Sequence, residues 1–85
     1  MTHSDILEQA AAVLDARAES YGPADASLRA IAARWSLTLG QAVTPAQVVL
    51  RMIDLKMVRL AHDPAHRDSL VDVIGYAALM PEVQR

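Results

Sequence analysis

Apolar side chains recur every three or four positions along this chain, and turn-forming residues divide the recurrence into four segments. Ile6, Ala10, Val13 and Leu14 share one face of a first helix predicted over 5–20, with Arg17 on that face and Asp5, Glu8, Asp15 and Glu19 opposite. Ser4 is placed to cap it, its hydroxyl accepting a free backbone N–H, and Asp5 and Glu8 suit the positive end of the helix dipole. Tyr21-Gly22-Pro23 ends this segment, since Gly tolerates unusual dihedrals and Pro fits the first turn of a following helix. A second helix over 24–39 carries Leu28, Ile31, Ala32, Trp35 and Leu39 as its apolar stripe, and Gly40 stands where a left-handed terminating residue belongs.

Thr44-Pro45-Ala46-Gln47 reads as a capping box with Pro at the first helical position, and Val43 can staple onto Val48. The third helix is therefore predicted over 45–61. Val48, Val49, Met52, Ile53 and Leu60 form one arc of it, but Leu50, Leu55, Met57 and Val58 carry apolarity around most of the circumference. Four short helices cannot surround one of their own members, so the surplus apolar surface predicts a homodimer or higher oligomer. Asp63-Pro64 repeats the cap-then-Pro pattern and opens a fourth helix over 65–80, which Pro81 should end, leaving a frayed tail. The connections are short, so the expectation is an all-α fold: one domain over 1–85, a compact bundle of four short helices.

Composition narrows the picture. With 85 residues and no Cys, the chain has neither a disulfide frame nor a thiolate zinc site, and a cytoplasmic location follows. Apolar runs are short and the N-terminus lacks the regions of a signal peptide, which speaks against a membrane span or secretion. A net charge of -2 with scattered Arg lacks the basic stripe of a protein that binds a nucleic-acid duplex. Small ligands remain open.

The chemistry-bearing residues fall on the third and fourth helices. Lys56 and Arg59 project from within an apolar arc, where an unpaired cation costs several kcal/mol, so carboxylates or a bound anion should face them. Asp68 and Asp72 share a face of the fourth helix with Ser69 and Tyr76 at its edges, opposite Leu70, Val73, Ile74 and Ala77. Gly75, beside this stripe, suggests a close approach by a backbone or a ligand. The cluster can be an internal salt-bridge network that sets helix register. Alternatively, Asp68 and Asp72 could hold Mg²⁺ against a phosphate, or the cations could hold the phosphate directly. Two aspartates at this spacing are a weak metal signal. His62 and His66 straddle Pro64 and need not share a face, while Arg17 and Tyr21 could close the same pocket. Phosphate-binding Gly loops, nucleophile elbows and zinc spacings are absent from the sequence.

Arg17-Ala18-Glu19-Ser20-Tyr21-Gly22-Pro23, Trp35, Val43-Thr44-Pro45, Lys56-Met57-Val58-Arg59-Leu60 and the block Pro64-Ala65-His66-Arg67-Asp68-Ser69-Leu70-Val71-Asp72-Val73-Ile74-Gly75-Tyr76 carry a resemblance. Together they resemble a small phage and prophage family of unknown function, itself similar to the MazG-type all-α nucleoside triphosphate pyrophosphohydrolases. That resemblance implies a helical oligomer with a nucleotide-sized polar pocket, acting in the host cytoplasm if phage-encoded. MazG-type enzymes hold their metals with a Glu-Glu-x-x-Glu motif and a later Glu-x-x-Asp motif. The first has no counterpart here, and Asp68-x-x-x-Asp72 stands in place of the second.

The expected function is thus binding of a nucleotide or another phosphorylated small ligand at Lys56, Arg59, Asp68, Asp72 and Tyr76, with Arg17 and Tyr21. Lys56 and Arg59 would take phosphate, and a tyrosine would stack or hydrogen-bond. The alternatives are a Mg²⁺-dependent MazG-like pyrophosphohydrolase and a ligand-free protein-interaction module.

Overall fold

A computed structural model of the chain describes residues 2–84. Their order is α1 (His3–Tyr21), α2 (Ala24–Leu39), α3 (Pro45–His62) and α4 (Arg67–Val83), with no strand among the described residues. The all-helical expectation therefore holds; the helix starts that moved did so for local chemical reasons, and the end of α4 moved because of long-range packing.

Helix α1 begins earlier than expected because Thr2, not Ser4, is its cap. The Thr2 hydroxyl accepts the Asp5 N–H at 3.3 Å and the Asp5 carboxylate accepts the Thr2 N–H at 3.1 Å, a reciprocal box that leaves Ser4 inside the helix. The same exchange opens α3: Gln47 N–H donates to Thr44 Oγ1 at 3.1 Å and Thr44 N–H donates to Gln47 Oε1 at 2.9 Å. Gly40 closes α2 at φ 70, in the left-handed region that glycine enters without steric cost. The short link to α3 is pinned by Ser36, whose hydroxyl accepts the Val43 N–H at 2.8 Å and donates to the Ala32 carbonyl at 2.8 Å.

Both ends of α4 depart from expectation. Asp63-Pro64 forms a turn rather than a helix start: the Asp63 carboxylate accepts the Ala65 N–H at 3.1 Å, and the Asp63 carbonyl accepts the His66 N–H at 3.0 Å. His66 is the cap, its Nδ1 accepting the Ser69 N–H at 3.3 Å. At the far end Pro81 lies within the helix and does not stop it. Proline removes the hydrogen bond to the Ala77 carbonyl, but Ala77 is exposed and that oxygen can bond water. The compensation is Val83, only 6% exposed and packed with Leu28, Ala32, Val48 and Val49 in the core. Of the tail expected to fray, Val83 is part of the core, and Arg85 lies outside the described residues.

Helix α4 is also the helix that the others surround. It packs against α1, α2 and α3, whereas α1 and α3 do not pack on one another. Val71, Gly75 and Ser69 are buried on it, Leu70, Val73 and Ile74 are half-buried, and Ala77, expected on the core side, is exposed. A Cβ at Gly75 would meet Leu14 Cδ2 at 3.5 Å, an ordinary contact, so the neighbour at this glycine is a side chain. Trp35 sits against the core as expected. With α4 in the centre, α3 packs against α4 and α2 and leaves Leu50, Leu55, Met57 and Val58 exposed.

Candidate functional site

Three helices meet at one carboxylate. From α4, Asp72 presents Oδ2 to Lys56 Nζ of α3 at 3.1 Å and Oδ1 to Arg17 Nη2 of α1 at 3.1 Å. Lys56 is 11% and Asp72 12% exposed, so each charge has lost most of its water and requires the other. Arg17 reaches the pair from the open side, with its side chain about half in solvent. This triad also fastens α1 and α3, which share no packing of their own, to the central helix.

Tyr76 follows Asp72 by one turn of α4 and is half-buried. Burial pushes its phenol above the ordinary range; the positive charge of Arg17 acts in the opposite sense and the negative charge of Asp72 adds to the rise.

Arg59 and Asp68 do not join this core of the site. Both are exposed, and among the described residues neither makes an ion pair within 4.0 Å. The expected network of two cations facing two aspartates is thus a triad built on Asp72 alone, with Arg17 in the place assigned to Arg59. The reason is reach: on α3, Lys56 faces the α3–α4 seam, while Arg59 turns toward the open rim. Arg59 and Asp68 instead line a polar cleft of about 330 Å³ with Arg17, Asp72, Gln9 and His66, floored by Val13 and Val71. Tyr21 stands apart, 78% exposed. With Arg17, Tyr76, Leu28 and Ile31 it borders a larger apolar groove of about 660 Å³ between α1, α2 and α4. Arg17 belongs to both hollows.

Two polar residues of the cleft were not among the expected binding residues. Gln9 accepts a hydrogen bond from Arg67 Nε and so links α1 to the start of α4. His66 bonds through Nδ1 to the Ser69 hydroxyl at 2.8 Å. The signal for His66 was its place just before the apolar period of α4 resumes; for Gln9 there was none, since a polar residue beside an apolar stripe is ordinary. His62 and His66 share a separate hollow with Val58, Arg59 and Asp63. Among the described residues, no group of three or more His, Cys, Asp or Glu is arranged to hold a metal ion. Asp72 is a poor ligand in any case, because both its oxygens already face cations. No helix among the described residues is long and apolar enough to cross a membrane.

A family profile described as a domain of unknown function, DUF6378, matches residues 5–84, which carry the entire site. The chain belongs to the DUF6378 family. It is also 36% identical over 69 residues to the Gene 55 protein of Mycobacterium phage L5, an alignment covering 80% of this chain and 44% of that protein. The chain thus spans less than half the length of that relative. No solved structure matches it. The resemblance to a phage family of unknown function is borne out by this DUF6378 membership and by the mycobacteriophage relative.

Proposed function

We propose that this domain binds a nucleotide or another small phosphorylated ligand in the cleft beside Asp72 and releases it unchanged. The observation that carries the reading is Arg59: an exposed guanidinium without an ion pair among the described residues, on the wall of a polar cleft that Arg17 also lines. A guanidinium offers paired donors that match phosphate oxygens. The wall carries Arg17 and Arg59 against Asp68 and Asp72, and because Asp72 is also paired with Lys56, which does not line the cleft, one positive charge is left over toward an anion. Tyr76, and Tyr21 at the outer rim, supply aromatic surface next to Arg17 for the rest of the ligand.

Binding is favoured over hydrolysis by the acids that are missing. Metal-assisted phosphoryl chemistry needs carboxylates to clamp the ion and position the water. Here Asp72 is committed to Lys56 and Arg17, and Asp68 alone is left for Mg²⁺. Kinship with the MazG-type pyrophosphohydrolases is part of this proposal; it fits a homo-oligomer with a nucleotide-sized pocket in which the catalytic ligand set has been lost. A phage-encoded member would do this in the host cytoplasm.

The test is to incubate the protein with Mg²⁺ and a panel of ribo-, deoxy- and cyclic nucleotides, then follow each by mass spectrometry in the filtrate before and after heat release. A nucleotide depleted from the filtrate and recovered intact supports the proposal. A triphosphate converted to its monophosphate replaces it with the pyrophosphohydrolase reading. Nucleotides that all stay free and unchanged leave the triad structural and favour a protein-interaction module.

A further inference from the structure

This chain on its own carries too much surface. A compact monomer of 9.2 kDa exposes about 4,900 Å² by the scaling of area with mass, whereas this chain exposes 5785 Å². The surplus, roughly 900 Å², is close to the ~800 Å² that each partner contributes to a standard interface. Shape agrees: the radius of gyration is 13.6 Å, against about 12 Å for a compact domain of this length.

The face that fits this surplus is the outer side of α3. Leu50, Met57 and Val58 are 45%, 53% and 70% exposed, and with Asp54 and Ala61 they recur at the spacing of a straight helical seam. Arg51 and Asp54, the charges in this stripe, are paired with each other at 2.9 Å. We infer that this face packs against the same face of a second copy of the chain, antiparallel about a two-fold axis near Asp54. In that arrangement Leu50 of each copy meets Val58 of the other, and each Arg51 can turn to the Asp54 opposite, so the stripe is complementary to itself in both apolarity and charge. The start of the second α3 then lies over the hollow lined by Val58, Arg59, His62 and His66. The inference deepens the oligomer part of the proposed function and requires no ligand, so its failure would leave the nucleotide experiment unaffected.

The experiment is light scattering after size exclusion, and sedimentation, on the ligand-free chain. The native protein should have twice the single-chain mass. Val58→Asp and Met57→Asp should have the single-chain mass with helical circular dichroism retained, while Leu7→Asp, on α1 away from α3, should remain dimeric. Should the α3 variants fail to fold, Asp54→Cys in this Cys-free sequence serves instead: a short bismaleimide should link it into a dimer, and Leu7→Cys should stay unlinked. A native protein of single-chain mass at every concentration, a folded Val58→Asp that keeps the native mass, or an Asp54→Cys that does not cross-link would each overturn the inference.

Discussion

Lys56 Nζ lies 3.1 Å from Asp72 Oδ2, with the two side chains 11% and 12% exposed, and this contact ties α3 to α4 beside the candidate cleft. The two partners are not equivalent. Removing the carboxylate in Asp72→Ala strands a desolvated ammonium and releases Arg17 as well, which should cost about 3–5 kcal/mol. Lys56→Met keeps the apolar stem and leaves Asp72 with Arg17, so its loss should stay within about 2 kcal/mol. Urea unfolding of the two variants measures the difference, and equal losses would show that Arg17 does not support the carboxylate.

Tyr76 gives the site a signature at high pH. Its pKa is raised from the ordinary 10.0 chiefly by burial. The folded state therefore holds the phenolic proton more tightly than the unfolded state does. The resulting stability is complete below pH 10.0 and is lost as pH rises through the folded-state value. In Tyr21→Phe, which leaves Tyr76 as the remaining tyrosine, the tyrosinate absorbance should rise with a midpoint above 10.0. Tyr76→Phe should remove the corresponding part of the stability loss.

Much of this fold could be read from local sequence chemistry. Thr44 with Gln47, and Gly40 after α2, act as their residue types dictate because caps depend on atoms a few residues apart. Thr2 with Asp5 obeys the same grammar, but Ser4, a residue of the same capping type two positions later, was expected in that role. Pro81 was misleading for a different reason: its helix-breaking cost is local, whereas the burial of Val83 that outweighs it depends on the distant Leu28 and Val48. The site divides along the same line. Helical spacing placed Lys56 and Asp72 on facing sides, but not that Arg17 would reach Asp72 across 55 positions while Arg59 faced outward.

The role of the last turn is directly testable. Ending the chain after Met80 removes Val83 from the core and should cost at least about 1.5 kcal/mol, the value of two buried methyl groups; Val83→Ala should account for most of it. A thermal melt unchanged by both alterations would show that the end of α4 does not contribute.

Gly75 should be replaceable. Its prospective Cβ meets Leu14 at 3.5 Å, which needs no rearrangement, and Ala gains up to about 1 kcal/mol of helix propensity. Gly75→Ala should therefore raise the melting temperature. A fall would mean that Leu14 cannot accommodate the extra methyl.

The most direct test of the central claim is a titration of isotope-labelled protein with a nucleoside triphosphate, without metal, followed by nuclear magnetic resonance at backbone N–H and arginine side-chain groups. The shifts are expected at the Arg17 and Arg59 side chains and at the N–H groups of Asp68 and Asp72, all on the cleft wall, with Arg59→Ala weakening the binding while the remaining spectrum stays that of the folded protein. A spectrum that does not move, or moves only outside this cleft, would contradict it.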